Sequence, residues 1–76
     1  MNNPPITLNV RQRRQVTRAR EQAGLSMRGL ADALDVSAMM ISRLESGERG
    51  VSFAEARRIC KRLGLTLSVK QVVELS

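Results

Sequence analysis

A helical apolar stripe that breaks at a short turn and then resumes constrains this chain more than any other feature. The stripe runs through Leu30, Ala31 and Leu34, crosses residues 35–37, and continues at Ile41 and Leu44. Spacings of this kind place each set on one face of a helix. Val36 supplies an apolar elbow between the two sets, and Ala31 is small where two helices must approach closely. Residues 27–46 thereby fit the register of a helix-turn-helix, in which one helix braces a second against the DNA major groove. An ordinary core stripe would run on without the turn.

Capping residues divide the rest of the chain. Asn9, answered by Gln12, marks the start of a first helix. Val16, Ala19 and Ala23 form its thin inward stripe, while Arg11, Arg13, Arg14 and Arg18 are expected to face outward. Gly24 ends it, because the residue just past a helix commonly needs positive φ. Ser26 caps a second helix over 27–34 and Ser37 a third over 38–46, which Gly47 ends. Asp35 takes the turn position between them, and Asp tolerates the left-handed conformation better than most residues. Ser52 with Glu55 makes a capping box for a fourth helix over 53–63, with Val51 stapled onto Ala56 and Gly64 closing the element. Phe53, Ala56, Ile59, Cys60 and Leu63 are its expected buried face; Arg57, Arg58, Lys61 and Arg62 are expected outside.

The two ends follow a different rhythm. Pro4 and Pro5 hold the start extended, and residues 6–9 alternate apolar and polar, as a short strand or a tethered arm would. After Gly64, Leu65, Leu67 and Val69 alternate with Thr66, Ser68 and Lys70, the two-residue beat of a half-buried strand. A lone strand leaves its edge unpaired. It pairs either with residues 6–8 or with the same strand of a second copy, and the second is favoured because a two-fold reader gains a second half-site. A short fifth helix is the other reading. The expected fold is all-α, a bundle of four or five helices with a short C-terminal β-strand used in dimerisation through Leu65, Leu67, Val69 and Val72. It reads as one domain over 1–76: an arm at 1–8, the bundle at 9–64 and a strand-like tail at 65–76.

Charge narrows the partner. Lys and Arg number 13 against 7 Asp and Glu, a net charge of +6, and nearly all of the basic residues are Arg. Arginine grips phosphate oxygens in pairs, so a polyanion is expected. RNA readers usually stack bases on aromatics, and the one aromatic here, Phe53, is placed for the core. Catalysis finds little to work with: there is no His, no glycine-rich phosphate loop and no nucleophile beside a base, so no enzyme, metal or cofactor is expected. The single Cys60 fits a reducing compartment. No apolar run is long enough to span a membrane, and the start lacks a signal-peptide pattern, so a cytoplasmic protein is expected.

At about 100° per residue, Ile41 and Leu44 of the third helix point inward together. The opposite arc carries Met39, Ser42, Arg43 and Ser46, with Ala38 at the exposed first turn and Met40 on the flank of the core. Ala38, Met39, Ser42 and Arg43 are therefore the expected base readers. Arg43 can donate two hydrogen bonds to guanine or clamp a phosphate, and the apolar pair suits thymine methyls. With so few hydrogen-bonding readers, DNA shape should carry part of the specificity. Phosphate contacts are expected from Arg28, Arg49, Arg18 and Ser46, and from amides at the starts of the second and fourth helices. Ser26 and Ser37 are caps first and phosphate ligands second.

From residue 16 to 63 the order of features resembles the lambda-repressor/Cro-like (Xre) helix-turn-helix family. The run AGLS before the second helix, then LADAL, the capping VS, ISRLESG and a fourth helix ending in LG carry the likeness. It implies a dimeric transcriptional repressor, and it implies that Arg20 pairs with Glu45 to lock the first helix onto the third. Met27 stands where the family commonly has Gln, and Ala38 and Met39 stand where polar residues are usual. The stretch GVSFAEARRICKRLGLTLSVK is similar to one branch, the HipB-like antitoxins, which pair a strand across the dimer axis and bind a toxin. The expected partners are thus double-stranded DNA, a second copy of the chain and a cognate toxin, with no membrane. The alternatives are a module that chiefly masks a toxin, and a stand-alone phage-type or restriction-modification regulator.

Overall fold

The computed structural model describes residues 5–66, and among them four helices follow one another: α1 (Val10–Gln22), α2 (Met27–Leu34), α3 (Ala38–Ser46) and α4 (Phe53–Leu63). Each starts on a side chain that satisfies an otherwise orphaned amide. Asn9 Oδ1 accepts from the Gln12 amide at 2.8 Å while the Asn9 amide donates to Gln12 Oε1 at 2.9 Å. Ser52 and Glu55 repeat that reciprocal pair at α4. The Ser26 and Ser37 hydroxyls accept from the amides of Gly29 and Met40.

The turn between α2 and α3 is closed by Asp35, which sits in the left-handed region at φ 58°, ψ 46°. Its amide donates to Asp32 and the next one, Val36, reaches back to the Ala31 carbonyl at 2.9 Å. These bonds absorb two of the last carbonyls of α2 and swing the chain into α3 within three residues. Val36 then leans on the core as the elbow.

The core lies where the four helices meet. Leu30, Ile41, Leu44, Ile59, Val16 and Val51 are essentially sealed from solvent, each contributing roughly 1.5–3 kcal/mol by burial. α2 and α3 pack most extensively on each other, α1 crosses α3 and α4, and α4 also backs α2. α3 is thus held from two sides, leaving its remaining face outside.

The structure departs from the sequence expectations at several places. Ile6 forms an isolated antiparallel bridge with Val51, with Ile6 N to Val51 O at 2.6 Å and Val51 N to Ile6 O at 2.9 Å. The arm is stitched to the loop before α4, and Ile6 and Leu8 are buried. Gly50 permits this approach, since a Cβ there would stand 2.7 Å from the Ile6 carbonyl oxygen. Phe53 is 44% exposed and does not join the buried face of α4. It occupies the first turn, ahead of the inward stripe, and Val51, the residue before the Ser52 cap, is enclosed at 1% exposure. Ala23, expected inside, is exposed at the end of α1.

Arg13, expected in solvent, is half-buried over Gly47, while Arg58 is exposed as expected and its guanidinium donates to the Leu34 carbonyl at the end of α2. Leu65, assigned above to a dimer strand, leans on its own core, and its amide donates to the Cys60 carbonyl, closing α4. It lies in no strand, because that bond extends the helix-ending turn. Leu67, Val69, Val72 and the rest of the expected strand lie outside the described residues.

Candidate nucleic-acid interface

α3 divides lengthwise into an inner and an outer half. Ile41 and Leu44 are fully enclosed and Met40 is 8% exposed, so the helix is anchored along one side. Met39 is 60% exposed, and Ser42, Arg43 and Ser46 are exposed beside it, with Ala38 half-exposed in the first turn. The four expected base readers therefore share the free surface of a single helix. Only Arg43 and Ser42 among them can form hydrogen bonds, Arg43 as a pure donor and Ser42 as donor or acceptor.

The groups expected to meet phosphate surround that surface with differing freedom. Arg28 on α2 and Arg18 on α1 are exposed. Arg49, in the loop after α3, makes an ion pair with Glu55 at 3.4 Å. Both partners are accessible, so the pair is weak and exchangeable. Ser46 donates either to the Arg43 carbonyl or to Glu48 Oε2, each at 3.1 Å, which turns its hydroxyl toward its own chain. Ser26 and Ser37 use their oxygens as caps. A capping hydroxyl accepts with oxygen and keeps its proton for donation, so the two roles are chemically compatible.

The seam between α1 and α3 is held by a charged cluster. Arg20 Nε donates to Glu45 Oε2 at 2.7 Å and Nη2 donates to Glu45 Oε1 at 3.1 Å, a two-pronged grip. Nη1 spans to the Leu25 carbonyl at 2.9 Å, and Thr17 donates its hydroxyl to Glu45 Oε1 at 2.9 Å. The two side chains are 10% and 6% exposed. The hydrogen bond to Glu45 raises the Arg20 pKa above the ordinary arginine value, against an opposing effect of burial. Arg20 thus ties α1, the loop before α2, and α3 into one body. Thr17 and Leu25 were not singled out from sequence as partners, since nothing local to either residue signals a bond to a side chain on another helix.

Among the described residues no group of three or more His, Cys, Asp or Glu is placed to hold a metal ion. Nor is any helix of the described residues long and apolar enough to cross a membrane.

No curated protein and no solved structure matches the chain. A family model described as helix-turn-helix (HTH_3) matches residues 16–70, well over half of the sequence, from the middle of α1 past the end of α4. The match includes the whole α2–turn–α3 unit and the helix that backs it. With α3 free along its outer half and locked along its inner one, the chain belongs to this Xre/lambda-repressor-like helix-turn-helix family, a family of DNA-binding regulators and not of enzymes.

Proposed function

We propose that the protein is a homodimeric transcriptional repressor, acting as a single DNA-binding domain on an inverted-repeat operator. α3 enters the major groove, with Ala38, Met39, Ser42 and Arg43 against the base edges. Arg28, Arg18 and Arg49, with Ser26, Ser37 and Ser46 and the amides at the starts of α2 and α4, meet the flanking phosphates. The observation that carries this reading is the exposure of Met39, Ser42 and Arg43 on a helix whose other side is fully enclosed. A net charge of +6 supports it, because neutralising backbone phosphates supplies most of the affinity of such complexes.

Two half-sites about one helical turn apart, roughly 34 Å, are expected for a two-fold reader. Selection of bound duplexes from a random library tests the proposal: it should return a motif with internal two-fold symmetry. Recovery of unrelated sequences with no enriched motif would exclude sequence-specific repression. Deleting residues 67–76 tests the part given to the tail, and a truncated chain that dimerises as the full chain does would remove it.

A second reading adds a toxin as protein partner, so that the repressor controls its own operon. The similarity of residues 50–70 to HipB-like antitoxins favours it, together with the exposed apolar side chains of Phe53 and Val10. A neighbouring reading frame whose product arrests growth unless this chain is co-expressed is the expected result. An unrelated neighbour would end this reading and leave the first one standing.

A further inference from the structure

α1 and α3 enclose a groove of about 390 Å³ on the side of the seam that faces outward, next to the free surface of α3. Arg13, Arg14 and Arg18 line it with Thr17, Glu45 and Ser46. Glu45 adds little free negative charge, because Arg20 and Thr17 already occupy its oxygens. Glu21, exposed on α1, is the other acid at the rim. Three guanidinium groups against one available carboxylate leave the groove cationic.

Arg13 is the unusual member. Its guanidinium lies directly over Gly47, where a Cβ would overlap Nη1 and stand 2.7 Å from Cζ. Gly47 is required for its backbone, at φ 88°, and a side chain there would displace the Arg13 guanidinium from this position. The carbonyl end of α3 attracts a cation, which accounts for the position of Arg13. It does not account for the Arg13 Nε, which is buried without an acceptor among the described residues. A buried charged donor with no partner is costly, and an acceptor arriving from outside removes that cost.

We propose that Arg13 is a phosphate ligand, and that the α1–α3 groove seats one phosphodiester of the DNA backbone beside the turn where α3 ends. This rests on the reading of α3 as the DNA-facing helix. On binding, the Arg13 side chain turns out from its seat over Gly47, so that phosphate oxygens accept from its guanidinium, Nε included, with Arg14 and Arg18 at the rim supplying charge. The contact carries no base information; it sets the angle at which α3 meets the duplex.

The test compares wild type, Arg13→Met, Arg57→Met and Arg43→Ala on a duplex of random sequence across a salt series. Arg13→Met should lower the steepness of log affinity against log salt by about 0.9, the counter-ion share of one phosphate, and weaken binding about three- to tenfold at every sequence. Arg57→Met, on the outer face of α4, should leave the slope unchanged. The Arg13 Nε–H resonance of the wild-type protein should shift on adding duplex. A folded Arg13→Met protein with the wild-type slope, or an Nε–H resonance that ignores duplex, overturns the assignment. A shift with inorganic phosphate but none with duplex overturns it too, leaving a free-anion site. If the wild type binds no duplex at any salt, the DNA reading itself fails. If it binds and Arg43→Ala weakens it while Arg13→Met does not, the groove alone is lost.

Discussion

Arg43 and Glu45 stand two residues apart on α3 and live in different physical worlds. Glu45 faces α1, is 6% exposed as a side chain, and accepts hydrogen bonds from Arg20 and Thr17. Arg43 faces outward, exposed, in a row with Met39 and Ser42. A charge taken out of water has to be matched inside the protein, so its partners are chosen by the fold and its loss falls on stability. A charge left in water is already solvated, so it is available to an outside group and its loss falls on binding. The same nine-residue helix therefore serves as a structural strut along one edge and as a reading head along the other.

The largest effect that would test this division is at the seam. Glu45→Ala leaves the Arg20 guanidinium enclosed without its carboxylate and should cost about 3 kcal/mol of unfolding free energy in a urea titration. A loss below about 1 kcal/mol would place the seam among weak surface pairs. The pair should also be insensitive to pH through the neutral and mildly alkaline range. A cation whose folded pKa is raised contributes fully below its unfolded value, and that contribution fades only as pH rises through the folded one.

Arg43→Ala should do the reverse. Discrimination or affinity on a selected duplex should drop by about 2 kcal/mol, with stability moving by less than about 0.5 kcal/mol. Equal losses in folding and binding would erase the distinction between the two edges. Ser37→Ala removes the cap that starts α3 and should cost about 1 kcal/mol of stability by thermal or urea unfolding. Smallest is Asp35→Gly: relief of the left-handed backbone at φ 58° should outweigh the added freedom of the unfolded chain, for a gain of about 0.5 kcal/mol. A loss there would mean that the Asp35 side chain itself steadies the turn.

Helix boundaries were readable from the residues because the signals that set them are local. A cap bonds to an amide three residues away, and Asn9, Ser26, Ser37 and Ser52 each do so. The two-sidedness of α3 was readable for the same reason, since a helix turns by a constant angle and Ile41 with Leu44 defines the inside. Phe53 shows where periodicity misleads. It lies at the correct spacing from Ala56, yet at the first position of α4 it is 44% exposed, and Val51, just before the cap, is the residue enclosed there. Helical angle alone places Arg13 and Arg58 outside, and Arg58 is indeed exposed, yet the guanidinium of each reaches another helix, Arg13 above the end of α3 and Arg58 at the end of α2.

From the chain of residues alone come the four helices of the described region, the turn at Asp35, the enclosed side of α3 and the cationic character of the whole. All of these depend on neighbours a few positions away or on a simple sum of charges. Tertiary structure alone decided that Ile6 bridges Val51, that Arg20 and Glu45 close a seam with Thr17, and that Arg13 lies against Gly47. Those outcomes join residues 25 to 45 positions apart. At such separations the packing of whole helices, and not the spacing of side chains along one, determines which groups meet.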